Sequence, residues 1–119
     1  EFKTGEIEQW EAQAAQVEIF RDNFGIPHIY GITDADAVFG LLYAQCEDDF
    51  HRVERNYICA IGRLAEVMGE EALYSDLRAN LFMTKSEAIY AYEASPKWLK
   101  DLCDAFAAGI NYFYIPTHK

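Results

Sequence analysis

Hydrophobic and polar positions alternate along this chain with two different periods, and the change of period marks its elements. Val17 to Arg21 alternates apolar and polar, Val17 and Ile19 against Glu18 and Arg21, which reads as a strand. Asp22-Asn23-Phe24-Gly25 is turn chemistry, since Asn and Gly tolerate positive φ. Pro27 to Tyr30 reads as a second strand; Pro27 has no N–H to donate and is expected at an edge or at the strand's first residue. The two segments predict a β-hairpin with an opened, bulged turn. A two-stranded hairpin is marginal alone and needs a larger sheet or a packed helix. Ahead of it, Ile7 to Gln16 is rich in Ala and Glu with Ile7, Trp10 and Ala14 on one face, which predicts a short helix.

Beyond the hairpin the period lengthens. Thr33 can cap a helix whose first turn carries Asp34 and Asp36, acids that suit the positive end of the helix dipole. Phe39, Tyr43, Cys46, Phe50, Val53, Tyr57 and Ile61 follow at spacings of 4, 3, 4, 3, 4 and 4, predicting one long amphipathic helix that Gly62 breaks. Arg63 to Met68 reads as a short helix ended by Gly69, and residues 70–76 carry no decisive pattern. Helices are expected over Leu77 to Met83 and Lys85 to Ala94, the latter stopped by Ser95-Pro96. Ser95 can cap a last helix with Pro96 at its first position, continuing through Trp98, Leu102, Phe106 and Ile110 to about Tyr114. There is no repeat, low-complexity segment or linker. The fold class read from this order is α+β, mostly helical with an N-terminal β-hairpin.

At 119 residues the chain is one domain at most, and 51% apolar residues with 15% aromatic ones are enough for a modest core. Twenty acidic against ten basic residues leave a net charge of -10. That balance argues against nucleic acid or an anionic membrane surface as a partner. No apolar run reaches the roughly 20 residues of a membrane span. Glu1-Phe2-Lys3 has no apolar h-region, so a signal peptide is expected to be absent or already removed. Cys46, Cys59 and Cys103 are too scattered for a disulfide framework or zinc site, and each is expected as a buried thiol on a helix's apolar face.

Glu47, Asp48, His51 and Glu54 have metal-ligand residue types at helical spacing, but no second cluster exists to complete a bundle site. The solvated face of an amphipathic helix is the favoured reading. His28 is expected as a strand residue with a structural hydrogen bond, and His118 carries no inference. Ser75, Ser86 and Ser95 lack a nucleophile setting, and no GxSxG, GxGxxG or P-loop occurs. The eight tyrosines track helical apolar faces and read as core and interface residues. No catalytic, cofactor-binding or metal residue is therefore assigned.

Val17 to Gly69 closely resembles the start of the α-chain of the penicillin acylase family, which includes penicillin G acylases, acyl-homoserine-lactone acylases and aculeacin-type acylases. Arg21-Asp22 with Gly25-Ile26-Pro27-His28 is similar to the family's opening hairpin. Phe39-Gly40 and Tyr43-Ala44-Gln45 resemble its first long helix, and Gly62-Arg63-Leu64-Ala65-Glu66 the turn and short helix after it. Phe106-Ala107-Ala108-Gly109-Ile110-Asn111 is similar to the family's "YADGxN" segment. Cys46 and Asp49 differ from commoner family choices, and both are placed within the long helix.

The resemblance implies part of an N-terminal-nucleophile hydrolase of αββα architecture, with residues 1–119 a single partial domain from the start of the α-subunit. In that family a precursor cuts itself, exposing a serine at the first residue of the β-chain, and the serine's own α-amino group acts as base. Residue 1 here is Glu, so the nucleophile is expected on a separate chain. The implied partners are that β-chain and, in the intact enzyme, a small acyl-amide substrate. Calcium accompanies many intact members, but no residue here matches its ligand positions, and no cofactor is expected in this chain. Export to the periplasm or beyond is implied, and self-association of the isolated chain is expected through its unpaired hairpin. The rival reading is a free-standing acidic helical module that binds a protein partner through its aromatic face, without catalysis.

Overall fold

The computed structural model describes residues 2–117, with side chains through Ile115; Glu1 and His118 lie outside the described residues. The chain folds as two compact units, one from residues 1–48 and 97–119, the other from residues 49–96.

The first unit holds α1 (Thr4–Ala14), β1 (Val17–Arg21), β2 (Pro27–Gly31), the first part of α2 (Asp34–Ala60) and α6 (Lys97–Thr117). β1 and β2 pair antiparallel from Val17↔Gly31 to Arg21↔Pro27, which puts Pro27 at the first position of its strand, as its missing N–H requires. Asp22 and Ile26 add one further backbone bond, N–H to carbonyl, at 3.1 Å, and Gly25 turns the chain at φ 79°. Asn23 does not share that conformation: every described positive φ belongs to glycine.

Val17, Ile19 and Ile29 face inward, and the hairpin settles on α2 at Gly40. A Cβ there would lie 2.6 Å from Val17 Cγ1 and 2.8 Å from Ile29 Cγ2, so glycine lets the hairpin approach this closely without those side chains shifting. Thr33 and Asp36 start α2 reciprocally. Asp36 N–H donates to Thr33 Oγ1 at 3.2 Å, while the Asp36 carboxylate accepts from Thr33 N–H at 3.0 Å and from its hydroxyl at 2.7 Å.

Phe39, Ala105 and Ala108 form the core, with Trp10, Ala14, Val17 and Tyr112 against it. The buried face of α6 is thus built from small residues, Ala105, Ala108 and Gly109, that let two helices approach closely. The expected stripe of Trp98, Leu102, Phe106 and Ile110 is rotated: Trp98 and Phe106 are exposed. Bulk did not decide the inward face; closeness of helix packing did. Cys103, on the same outward side, is exposed rather than buried, whereas Cys46 is buried and burial pushes its thiol pKa up.

The continuous long helix also needs correction. Asp49 leaves helical dihedrals (φ -160°, ψ 79°), so α2 is two helices in series. The Asp49 side chain accepts from Arg52 N–H at 3.1 Å and pairs with its guanidinium at 3.1 Å, capping the second segment. Short carboxylates compete for backbone N–H groups in this way, and an apolar spacing count does not register it. Past the break Tyr57 and Ile61 are exposed.

The second unit contains the rest of α2, α3 (Ala65–Met68), a 3-10 turn (Glu70–Ala72), α4 (Leu73–Phe82) and α5 (Lys85–Ala94). Gly62, at φ 67°, ends α2 as expected: its N–H donates to Cys59 and that of Arg63 to Ile58, both at 3.1 Å, the paired bonds of a Schellman motif. Residues 70–76, undecided from the pattern, supply a 3-10 turn and the start of α4, and the buried Asp76 accepts from Leu64 N–H at 2.8 Å and Ala65 N–H at 2.7 Å. Thr84 and Glu87 cap α5, and the Ser95 hydroxyl donates back to Ala91 at 2.7 Å, closing that helix. Several element limits differ from expectation: α1 runs from Thr4 to Ala14 rather than Ile7 to Gln16, α3 begins at Ala65 rather than Arg63, α4 spans Leu73–Phe82 rather than Leu77 to Met83, and α6 runs to Thr117.

Candidate functional site

The hairpin turn and the end of the first helical segment carry the densest polar cluster of the first unit. Asp22 sits at the turn's entry, where its Oδ1 accepts from Phe24 N–H at 2.8 Å and from Ile26 N–H at 3.0 Å. Its other oxygen lies 3.3 Å from His28 Nε2. The Ile26 N–H, opposed by partial burial and aided by Phe24 N–H and His28, holds the Asp22 carboxyl below its ordinary pKa.

Arg21, the neighbouring residue, reaches the other way. Nη1 donates to the Gly25 carbonyl at 2.9 Å and meets Asp48 at 2.8 Å, while Nη2 meets Glu47 at 3.1 Å and the Ala44 carbonyl at 3.4 Å. The Glu47 hydrogen bond, foremost, raises the pKa of Arg21 still further. One guanidinium therefore fastens the turn to α2. The strand pattern named Arg21 only as a polar position, because its partners lie more than twenty residues on.

This arrangement fixes a shape; it does not place an attacking group. His28 lies half-exposed on the outer side of β2 and contacts Asp22 and the Phe20 ring, at a centroid distance of 6.3 Å. Ser75 Oγ meets Cys59 Sγ at 3.7 Å and Ser95 is spent on Ala91. Of the metal-type residues, Glu47 and Asp48 are held by Arg21. His51, its side chain 96% exposed, has Glu54 at 3.9 Å. Among the described residues no group of three His, Cys, Asp or Glu side chains could hold a metal ion. No described helix is long and apolar enough to cross a membrane.

The first unit also exposes several large apolar side chains. Phe20 and Tyr30 project from the strands' outer side, and Phe24 (89% exposed), Ile26 and Ile32 (75% exposed) extend that surface along the turn and the strand's end. On the strands' outer side Glu18 stands opposite Tyr30 and His28 opposite Phe20, so polar and apolar side chains share that face. The second unit, taken by itself, exposes Tyr74, Leu81, Phe82 and Tyr90 along α4 and α5.

Comparison with known proteins agrees with this geometry. The family model described as penicillin amidase matches residues 16–119. Penicillin acylase 2 proenzyme of Pseudomonas sp. strain SE83 is 33% identical over 100 residues, covering 84% of this chain and 13% of that protein. The acyl-homoserine lactone acylase QuiP of Pseudomonas syringae pv. tomato is 34% identical over 100 residues, covering 84% of this chain and 12% of that protein. The chain thus spans about an eighth of the length of these relatives. Among solved structures, a thermostable penicillin G acylase from Alcaligenes faecalis superposes with a TM-score of 0.73 at 23% identity, over 84% of this chain and 53% of that one, which shows a common fold. Since the family model covers all but the first fifteen residues, and the hairpin and Gly62 turn it resembles are both formed, the chain belongs to the penicillin amidase family.

Proposed function

We propose that this chain is the N-terminal portion of the α-subunit of an N-terminal-nucleophile amidohydrolase that cleaves a linear acyl amide of the penicillin or N-acyl-homoserine-lactone type. The observation that carries the reading is the family match from residue 16 to residue 119, against relatives named as acylases of both kinds. On this reading the catalytic serine begins a separate β-chain. Its hydroxyl attacks the amide carbonyl, its α-amino group takes the proton, and donors of the β-chain hold the oxyanion. The C–N bond then breaks, the amine leaves with the proton, and water hydrolyses the acyl-enzyme to free the acid and restore the serine.

The chain's own contribution is positional. The Arg21 clasp sets the hairpin on α2, and the apolar surface of Phe20, Phe24, Ile26 and Tyr30 is what a β-chain sheet would cover. His28 serves the turn through Asp22. Any calcium would belong to the remainder of the enzyme, and the complex would work in the periplasm or outside the cell.

Reading the coding sequence past Lys119 and expressing the complete product tests this. Two chains should appear, the second beginning with serine, together with hydrolysis of phenylacetyl amides or N-acyl-homoserine lactones. The 119-residue chain alone should turn over neither. A coding sequence that stops at Lys119, or activity residing in the short chain, would overturn the reading, and the former would favour a free-standing interaction module.

A further inference from the structure

The second unit contains a cleft of about 400 Å³ formed by the end of α2, by α4 and by the start of α5. Tyr57, Ile61, Met83, Ala79 and Ala88 supply apolar lining, and Arg63, Asn80, Thr84 and Lys85 supply polar lining, of which we call Arg63, Asn80 and Lys85 the rim. No carboxylate lines it, in a chain that carries twice as many acids as bases. Its volume falls in the range of small-molecule sites, about 300–1,000 Å³.

The rim groups are donors with capacity to spare. Lys85 makes no ion pair among the described residues. Arg63 gives Nε and Nη2 to Glu66 at 2.7 and 2.6 Å, which leaves Nη1. Asn80 Nδ2 donates one hydrogen to the Asp76 carbonyl at 2.9 Å and keeps its second. Two acids close in sequence to the rim are already engaged, Glu66 by Arg63 and Glu87 by the Thr84 cap. Meanwhile Tyr57, Ile61 and Met83 remain about half exposed, so a tail laid along them would remove apolar surface from water.

We propose that this cleft binds a small carboxylate bearing an apolar tail, with Lys85 and the free Arg63 nitrogen at the carboxylate and the Tyr57–Ile61–Met83 wall along the tail. The proposal is independent of the catalytic reading above, because it uses none of the hairpin and no β-chain residue. Charge complementarity selects the acid over a neutral or cationic ligand of the same size.

The test is titration of the full 119-residue chain with octanoate, followed by amide NMR. A ligand of about ten heavy atoms should bind in the millimolar range. Shifts should be confined to residues 57–63 and 79–88, and 1-octanol should bind about ten- to a hundredfold more weakly, since a charge-assisted bond is worth about 1.5–3 kcal/mol. Lys85→Met should narrow the gap between octanoate and the alcohol severalfold, with the circular dichroism spectrum unchanged. Equal binding of octanoate and octanol to the unaltered chain would overturn the proposal and mark the cleft as a plain apolar docking surface. So would shifts spread elsewhere, or no shift at millimolar octanoate.

Discussion

Gly109 of α6 rests on the backbone carbonyl of Phe39 in α2, with no room between them for a methyl group. The Phe39–Tyr112 ring contact, at a centroid distance of 5.6 Å, and the burial of Ala105 and Ala108 depend on that approach. Gly109→Ala should push the helices apart and lower stability by about 1–3 kcal/mol, the usual cost of overpacking. Denaturant unfolding, with a fluorescence probe of Trp10 beside the core, measures the loss.

Gly40→Ala tests the same idea at the hairpin. Here the added Cβ meets two side-chain ends, Val17 Cγ1 and Ile29 Cγ2, rather than backbone. Side chains can give way where a carbonyl cannot, so the loss should be smaller than at Gly109 and confined to amides of β1 and β2 in hydrogen exchange. Uniform destabilisation across the first unit would show that the hairpin and core are one cooperative body.

Asp76→Ala removes the acceptor for Leu64 and Ala65 N–H at a site where Asp76 and Leu64 are both buried. Two backbone donors would be left unpaired, at about 1–3 kcal/mol for the site. The exchange of those two amides should accelerate through local opening, while the hairpin amides stay as they were.

Acid should open the hairpin turn at its entry. Folding depresses the Asp22 pKa, so its stabilisation is complete above the ordinary value of 3.8 and is lost as pH falls through the depressed folded value. Exchange of Phe24 and Ile26 amides should therefore rise only below pH 3.8. Asp22→Asn keeps an oxygen acceptor and should abolish the pH step while weakening the contact to His28. A carboxyl titration midpoint for Asp22 at or above 3.8 would contradict this.

The isolated chain should self-associate. Phe20, Phe24, Ile26 and Tyr30 are exposed on a two-stranded sheet, and apolar contact is worth about 25 cal/mol per Å². The net charge of -10 opposes this, but screening limits it to about 8 Å at physiological salt. Sedimentation should show dimers or larger species that strengthen with salt. A compact monomer with protected hairpin amides would argue for a self-sufficient module.

The elements most legible in the sequence were those whose signal is local. Pro27 announced its strand position, Thr33 and Asp36 their cap, and Gly62 its helix end, because each acts within a few residues. Arg21 and Asp76 were not legible, since their partners are set by how distant segments meet. The inward face of α6 was misread for a related reason. Trp98 and Phe106 carry most of its apolar bulk, yet what a crossing helix requires is the smallness of Ala105, Ala108 and Gly109. Asp49 hid within a regular apolar spacing because its effect is on the backbone and not on the face.

The second unit is fastened chiefly by bonds aimed at the backbone: the Asp49 cap, the Gly62 motif, Asp76 on Leu64 and Ala65, and Thr84 with Glu87. Among its described residues only Leu64, Ala72 and Asp76 are buried. Heat capacity on unfolding tracks newly wetted apolar surface, at about 0.45 cal/K/mol per Å², while exposed polar groups lower it. Opening of this unit should therefore leave a weak calorimetric trace and a shallow urea dependence, so that scanning calorimetry of the chain would register chiefly the Phe39 core.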